Sequence, residues 1–265
     1  MPEIHFFFGV LLFLNLSLSC YFYESNTLPD IGNAQFIEEC VRVHNKFRSN
    51  VNPPATNMKR MSWDHKLAEI AKGWAKRCLF QHNSDIKIPG KVHPNFTTAG
   101  ENIWTGSFQI FNVTSALTDW YNEVMHYNYD TRYCSDVCGH YTQMVWATTY
   151  KVGCAVLFCR QVTGVTSNAA HFICNYGPSG NFPTWPYKRG TPCSECDEEP
   201  CVDKLCGKVQ EESISDQDDS IRNQKESICD QYCITILILR PSFALGTLAA
   251  VFFVKQRYPT IFFYE

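Results

Sequence analysis

The spacing of hydrophobic residues predicts helices in the first part of the chain and strands in the second. The stretch NAQFIEECVRVHNKFRSNV has apolar residues three and four positions apart, the period of a helix with one buried face. The stretch SWDHKLAEIAKGWAKRC has the same period, with Ser62 as the expected N-cap, and a third helix is expected to start at Thr114 or Ser115. The predicted buried face of the first helix comprises Phe36, Ile37, Cys40, Val41, His44 and Phe47.

The later stretches YKVGCAVLFC and AAHFICNY alternate in character and are rich in β-branched and aromatic residues, as expected of half-buried strands. Helices that precede strands favour an α+β layered domain over a regular parallel α/β fold. Four tryptophans at helix-like spacings, Trp63, Trp74, Trp120 and Trp146, are interpreted as core residues.

Both ends of the chain carry apolar runs outside this pattern. Residues 6–18 have the length of a signal-peptide core and are too short to span a bilayer, so we predict a secretory signal peptide over 1–22. Residues 234–254 are long enough to cross a bilayer core of about 30 Å. Arg240 and Pro241 interrupt this second run, which leaves a lipid-anchor tail or an amphipathic surface segment as alternatives to a transmembrane anchor.

Composition divides the rest of the chain and indicates its compartment. The main domain is predicted over 28–190, and 191–206 is a short hinge with four cysteines in the spacing C-x2-C-x4-C-x4-C. The polar, acidic segment 207–233 is typical of a stalk. Lys255 and Arg257 predict a cytoplasmic tail over 255–265, with the large domain outside the cell.

The cysteine content and charge of the chain limit its surroundings and partners. Fourteen cysteines favour the oxidising secretory route. The acceptor triplets at Asn95 and Asn112 agree with glycosylation there. With 23 basic and 26 acidic side chains and no basic stripe, nucleic acid is excluded as an expected partner.

Two motifs resemble signatures of a known family. GHYTQMVW at 139–146 and HFICNYGPSGNF at 171–182 are similar to the two signatures of the CAP superfamily, the cysteine-rich secretory, antigen 5 and pathogenesis-related proteins. The resemblance runs from about residue 28 to residue 206. It implies an α-β-α three-layer sandwich, a fold that the helix and strand patterns alone do not give.

The resemblance also implies disulfide pairs. The family pattern suggests the pairs Cys78–Cys159, Cys134–Cys138, Cys154–Cys174, Cys193–Cys201 and Cys196–Cys206. Cys40 has no implied partner, and Cys229 and Cys233 are candidates for linking subunits or for acylation. The cysteine-rich channel-blocking module of some relatives is absent from the sequence, so no ion-channel function is expected.

Family members have a central cleft whose four polar positions match His82, Glu101, Glu123 and His140. Two histidines with a carboxylate form a set that zinc accepts, so His82 and His140 are candidate metal ligands. Protons compete for imidazole, whose ordinary pKa is about 6.5, so affinity should fall below about pH 6. Alternatively, a glutamate could act as the general base of a metal-dependent hydrolase, or the four residues could simply pair with one another.

We therefore expect a secreted or cell-surface binding protein. Its ligand would be a lipid or sterol in an apolar groove between helices, a metal such as zinc, or an extracellular protein, and the roles of relatives suggest defence, growth control or gamete interaction. The metal-dependent hydrolase is the alternative; no nucleophile motif or H-E-x-x-H helix supports it, and no catalytic residue is assigned. The remaining histidines are interpreted as structural: His44, His65, His93, His126 and His171.

Overall fold

The structure, a computed structural model, describes residues 28–163, 165–209, 246 and 252–258. Residues 26–210 form one compact unit, and residues 1–25 and 211–265 fall in a second. The predicted signal peptide 1–22 and nearly all of the stalk 207–233 lie outside the described residues. So do most of the apolar segment 234–254 and most of the tail 255–265, although residues 252–257 are helical. No helix within the described residues is long and apolar enough to cross a membrane.

The described residues of the first unit form four α-helices, and side-chain caps begin three of them. Helix α1 spans Ala34–Arg48, α2 spans His65–Ala75, α3 spans Val113–Asn122 and α4 spans Gly139–Met144. The side chains of Asn33, Asp64 and Asn112 accept hydrogen bonds from the first turns of α1, α2 and α3. Short 3-10 helices cover Ser84–Lys87, Phe108–Ile110 and Glu123–His126.

The expectation that Ser62 caps the second helix is wrong. Ser62 and Trp63 form a short strand, β1, that pairs in parallel with Lys151 and Val152. The cap is Asp64, which accepts a 2.9 Å hydrogen bond from Leu67 N. Serine and aspartate are both good N-caps, so local sequence did not distinguish them; the pairing of β1 with a strand about 90 residues later did.

The central sheet has four strands in the order β1-β5-β6-β2. Here β2 is Gly100–Ser107, β5 is Lys151–Val162 and β6 is Thr166–Gly177. β6 pairs antiparallel with both β5 and β2, so β2 is an edge strand. Two further ladders are short: β3 (Tyr127–Asn128) with β4 (Tyr133–Cys134), and β7 (Cys201–Val202) with β8 (Leu205–Cys206).

Helices cover both faces of this sheet, which confirms the α-β-α three-layer sandwich. Alternate residues of β5 and β6 point to opposite faces. One set, which includes Phe172, packs with α1, α3 and α4 in the largest core cluster. The other set, which includes Ala155 and Ile173, packs against Ala71 and Ala75 of α2. Gly153 lets α2 approach the sheet closely, because a Cβ there would lie 2.1 Å from Ala68 N.

Five disulfide bonds hold the unit together. The structure contains Cys78–Cys159, Cys134–Cys138, Cys154–Cys174, Cys193–Cys201 and Cys196–Cys206. Cys40 is a free cysteine, fully buried in α1. The hinge is packed as well as cross-linked: Cys206 N donates to Met58 O at 2.8 Å, and Leu205 belongs to the largest core cluster.

A buried arginine ties α1 to the loop that follows α4. Arg48 is 1% exposed, and its guanidinium donates six hydrogen bonds to five backbone carbonyls. These belong to Lys59, Met144, Trp146, Ala147 and Thr149. Burial lowers the pKa of Arg48 to about 9, so the guanidinium remains charged at neutral pH.

Candidate functional site

The first histidine of the candidate cleft lies against a buried glutamate on the edge strand. His82 Nδ1 is 3.0 Å from Glu101 Oε1, which also accepts a 2.9 Å hydrogen bond from Asn83 N. Asn175, opposite Glu101 in the β2–β6 ladder, is placed to donate its amide to Glu101 Oε2 at 3.2 Å. The Glu101 side chain is 1% exposed, whereas that of His82 is 56% exposed. The carboxylate is thus fixed inside the domain and the imidazole faces solvent.

The second histidine lies in the first turn of α4 and pairs with a glutamate that follows α3. His140 Nδ1 is 2.5 Å from Glu123 Oε1. The other oxygen, Glu123 Oε2, accepts from the backbone nitrogens of His140 at 2.9 Å and Tyr141 at 3.1 Å. One carboxylate therefore holds both the imidazole and the start of the helix. The His140 ring also stacks on Trp120, with centroids 5.9 Å apart.

These contacts set the proton positions on both imidazoles. A carboxylate oxygen only accepts hydrogen bonds, so Nδ1 of His82 and Nδ1 of His140 each carry a proton. In the neutral ring this leaves the lone pair on Nε2, and no hydrogen bond from the described residues reaches either Nε2 atom. Metal-binding histidines in proteins commonly have one ring nitrogen on a carboxylate and the other on the metal.

A buried chain of hydrogen bonds joins the second pair to α1. Asn102 Nδ2 donates to His140 O at 3.0 Å and to Tyr176 Oη at 3.2 Å. Tyr176 Oη lies 3.0 Å from His44 Nε2, and His44 Nδ1 lies 2.7 Å from Cys40 O. Because a carbonyl only accepts, His44 Nδ1 donates to Cys40 and Nε2 accepts from Tyr176. Burial lowers the pKa of His44 to about 4, which keeps this ring neutral.

The four predicted cleft residues form two His–Glu pairs, His82 with Glu101 and His140 with Glu123, and two consecutive residues of β2 link them. Glu101 and Asn102 are consecutive on β2; Glu101 holds His82, and Asn102 holds the backbone of His140. Asn102 and Asn175 also belong to this group of contacts, although neither was expected from the sequence. The one sequence feature that could have indicated Asn102 is its position next to Glu101. Asn175 could not be placed near Glu101 without the register of β2 on β6.

The hydrogen bonds of the two glutamates leave the imidazole nitrogens as the more available metal ligands of these pairs. Both glutamates already accept hydrogen bonds from the histidines and from backbone nitrogens. Among the described residues, the one group of three acid, histidine or cysteine ligand atoms close together is Cys193, Cys196 and Cys206. Their sulfurs are in disulfides, so that group is not a metal site.

The other predicted residues have structural surroundings. His44 and His171 are buried, and His93 is 3.3 Å from the α2 cap Asp64. His126 lies 3.3 Å from Ser135 Oγ, and His65 contacts Trp63 edge-on. Asn112 is exposed and caps α3 through Oδ1, so its nitrogen is the atom that a glycan would use; Asn95 is exposed as well.

The two signature motifs contact each other across a tight turn. Thr142 donates to Asn181 at 2.7 Å, Gly180 N donates to Gln143 Oε1 at 3.0 Å, and Thr149 donates to Pro178 O at 2.8 Å. A Cβ on Gly180 would lie 2.6 Å from the Trp146 ring. Trp120 and Trp146 are core residues, while Trp63 and Trp74 are only partly buried.

A groove of about 640 Å³ lies among loops rather than between helices. Its aromatic lining comprises Tyr129, Trp146, Phe182, Trp185 and Tyr187. Trp185 Nε1 donates to Tyr129 O at 2.9 Å, and Tyr129 Oη donates to Tyr187 O at 2.7 Å, so internal hydrogen bonds hold the walls in place.

Comparisons with known proteins agree with the fold and the motifs. Residues 41–176 match the family model described as CAP, the cysteine-rich secretory protein family. The chain is 45% identical to mouse glioma pathogenesis-related protein 1 over 262 residues, which covers 96% of both chains. It is 51% identical to bovine GLIPR1-like protein 1 over 179 residues, 67% of this chain and 73% of that one.

One solved structure, titled "Crystal structure of NaASP2 with Zn2+", is 29% identical and has a TM-score of 0.52. The match covers 68% of this chain and all of that one, so a domain of this extent folds alone. Together with the signature contacts and the three layers, these matches identify the chain as a member of the CAP family of cysteine-rich secretory proteins.

Proposed function

We propose that this protein is an extracellular CAP-domain binding protein whose cleft binds a divalent metal ion, zinc by preference, through Nε2 of His82 and Nε2 of His140. The observation that carries the proposal is the pairing of each Nδ1 with a glutamate, at 3.0 Å and 2.5 Å. This pairing orients the ring and fixes the tautomer, which leaves the Nε2 lone pair free to bind a metal ion. Two imidazoles leave further positions for water or a ligand, as a binding site needs.

The same contacts argue against the hydrolase alternative. A general base needs a carboxylate oxygen that is free to take a proton from water. Glu123 accepts three hydrogen bonds and Glu101 is enclosed with three donors around it. We therefore infer that both glutamates position the histidines and that the protein acts by binding rather than by turnover.

The extracellular part of the proposal rests on the cysteines. Five disulfides within one unit favour an oxidising compartment. We propose entry through the signal peptide 1–22, glycans at Asn95 and Asn112, and membrane attachment through 234–254. Mass spectrometry of protein secreted by a eukaryotic host tests the cleavage site and both glycans, and release by a lipid-anchor-cleaving enzyme separates the two kinds of anchor.

Titration calorimetry with zinc on residues 26–210 tests the metal site. We expect one zinc ion per chain, with affinity that declines on acidification because protons compete for the imidazoles. His82→Ala and His140→Ala should each weaken binding at least tenfold, and the double variant should abolish it. His65→Ala removes a histidine outside the cleft and should leave binding unchanged. Equal zinc affinity in the double variant would refute the site.

A separate measurement tests the alternative function. Purified protein is assayed with peptide and ester libraries, with zinc and after chelation. Turnover that chelator removes and that Glu101→Gln abolishes without unfolding would establish a metal-dependent hydrolase and overturn the binding proposal. Lipid extraction and mass spectrometry of the same preparation tests whether a sterol or fatty acid is the bound ligand.

A further inference from the structure

One end of the sheet carries exposed apolar side chains and basic side chains that form no ion pair with the described residues. We call it the sheet tip and define it by residues 76–80, residues 107–111, and residues 158–163 with 165–167. The Cys78–Cys159 disulfide and a bridge between Leu79 and Thr163 join the first and third segments. The rings of Phe108 and Phe158 are 5.2 Å apart and join the second segment to the third. The three segments therefore meet at one end of the sheet.

Large apolar side chains of the sheet tip face solvent. Ile110 is 78% exposed, Phe158 is 50% exposed and Val165 is 45% exposed. Phe80, at the border of the tip, is 52% exposed. A single exposed apolar residue is ordinary on a protein surface, but a cluster at one end of a fold marks an interaction site.

The charges of the sheet tip have one sign. Its three segments contain Lys76, Arg77 and Arg160 and no aspartate or glutamate, although the whole chain has a net charge of -3. Arg77 and Arg160 are the sequence neighbours of Cys78 and Cys159, so the disulfide bond holds the backbone segments that carry the two cations close together. Within the described ranges, none of the three basic residues forms an ion pair, and Arg77 lies over the Trp74 ring at 4.5 Å.

We propose that the sheet tip docks on an anionic lipid bilayer. Ile110, Phe158 and Val165 enter the boundary between headgroups and acyl chains, and the three basic residues bind lipid phosphates. Exposed apolar side chains beside unpaired cations are the combination that an anionic membrane surface attracts. A purely polyanionic partner would use the cations and leave the apolar residues exposed to water.

This surface is separate from the His–Glu cleft. Glu101 lies near the start of β2 and Ser107 at its end, about 20 Å apart along the strand. The bilayer contact and the proposed metal site can therefore be tested independently. The Cys78–Cys159 disulfide fixes the tip in place, so docking does not require a segment to fold on the membrane.

Co-sedimentation of residues 26–210 with vesicles tests the proposal. We expect binding to phosphatidylcholine vesicles that contain 30% phosphatidylserine and little binding to pure phosphatidylcholine, with affinity that falls as salt rises. Arg160→Glu should weaken binding at least fivefold, since one basic residue near an anionic surface contributes about 1 kcal/mol. Ile110→Asp should weaken it about tenfold or more through the lost apolar burial.

Two matched variants serve as controls. Met125→Asp makes the same kind of change at a residue that is also 78% exposed but lies outside the tip. Lys87→Glu reverses a charge on an exposed lysine in the 3-10 helix Ser84–Lys87. Both should change vesicle binding by less than twofold, and unchanged circular dichroism and melting temperature of all four variants establish that they fold.

Three results would overturn the proposal: equal binding to both kinds of vesicle, equal losses in the tip variants and their controls, or loss in Arg160→Glu without loss in Ile110→Asp. The last, together with binding to a sulfated polysaccharide, would indicate a soluble polyanion instead. Asn112 borders the tip, so binding is also measured after enzymatic removal of N-glycans. Unchanged or stronger binding supports docking through the protein surface, and lost binding would assign it to the glycan.

Discussion

Replacement of Arg48 by methionine gives the sharpest test of what stabilises the fold. Methionine retains most of the apolar stem and removes all six hydrogen bonds to the five carbonyls. Trp146 O and Ala147 O keep other donors, Thr149 N and Lys59 N. For Lys59 O, Met144 O and Thr149 O, no other donor comes from elsewhere in the described loops, so these three would be left unsatisfied.

The expected loss follows from these three carbonyls. Each buried acceptor without a partner costs about 1 to 3 kcal/mol. Removal of a buried charge returns part of this, because desolvation already disfavours the cation and lowers its pKa to about 9. We expect Arg48→Met to lower the free energy of unfolding by about 4 kcal/mol and the melting temperature by about 10 °C.

Urea and thermal unfolding of residues 26–210, with the disulfides intact, measure the effect. Arg42→Met is the control: it makes the same change on the same helix at a residue that is exposed, and it should alter stability by about 0.5 kcal/mol or less. A loss below about 1 kcal/mol in Arg48→Met would refute the reasoning, since it would mean that water or a rearranged loop satisfies the carbonyls.

Three further predictions concern buried groups. The pKa of His44 is near 4 in the folded state and about 6.5 in the unfolded state, so the unfolded state binds more protons between these pH values. Acidification from pH 7 to pH 4 should therefore lower the free energy of unfolding by up to about 3 kcal/mol. In urea titrations at several pH values, His44→Gln should reduce this pH dependence. Gly153→Ala should lower the free energy of unfolding by about 3 kcal/mol or more in the same assay, because the added Cβ meets the α2 backbone. Gly73→Ala has open space around it and should raise the free energy of unfolding by up to about 1 kcal/mol. Equal effects of the two substitutions would contradict the close approach of α2 to the sheet. Burial raises the pKa of the Cys40 thiol well above its usual value, which keeps the reactive thiolate scarce. Mass spectrometry should therefore detect alkylation of Cys40 by iodoacetamide only after the protein is unfolded. Rapid alkylation of the native protein would contradict the burial of Cys40.

Much of the layered fold could be predicted because its signals are local. Apolar spacing located α1, whose buried face includes Phe36, Ile37, Cys40 and His44. Val43 is buried and Val41 only partly buried, because two neighbouring helices, α3 and α4, and the sheet widen the covered face of α1. The strand patterns located β5 and β6 but ended short of their full lengths, since the turn between them continues the ladder to the Val162–Thr166 pair.

The site was less predictable because long-range contacts form it. His82 and Glu101 are 19 residues apart, and Glu123 and His140 are 17 apart, with no periodic relation between them. Family resemblance supplied the four positions, but it did not indicate which histidine pairs with which glutamate. Arg48 was missed for a related reason: an arginine in the last turn of a helix usually extends into solvent, and only tertiary packing encloses this one.

The two oxygens of Glu123 have a practical consequence for the design of variants that test the proposed metal site. Because the same carboxylate holds an imidazole and begins α4, a substitution there disturbs chemistry and backbone together. His82 does not hold a helix in place: its side chain is 56% exposed, and its partner Glu101 belongs to strand β2. Variants of the proposed site are therefore best begun at His82, where a change in binding can be separated from a change in the backbone of α4.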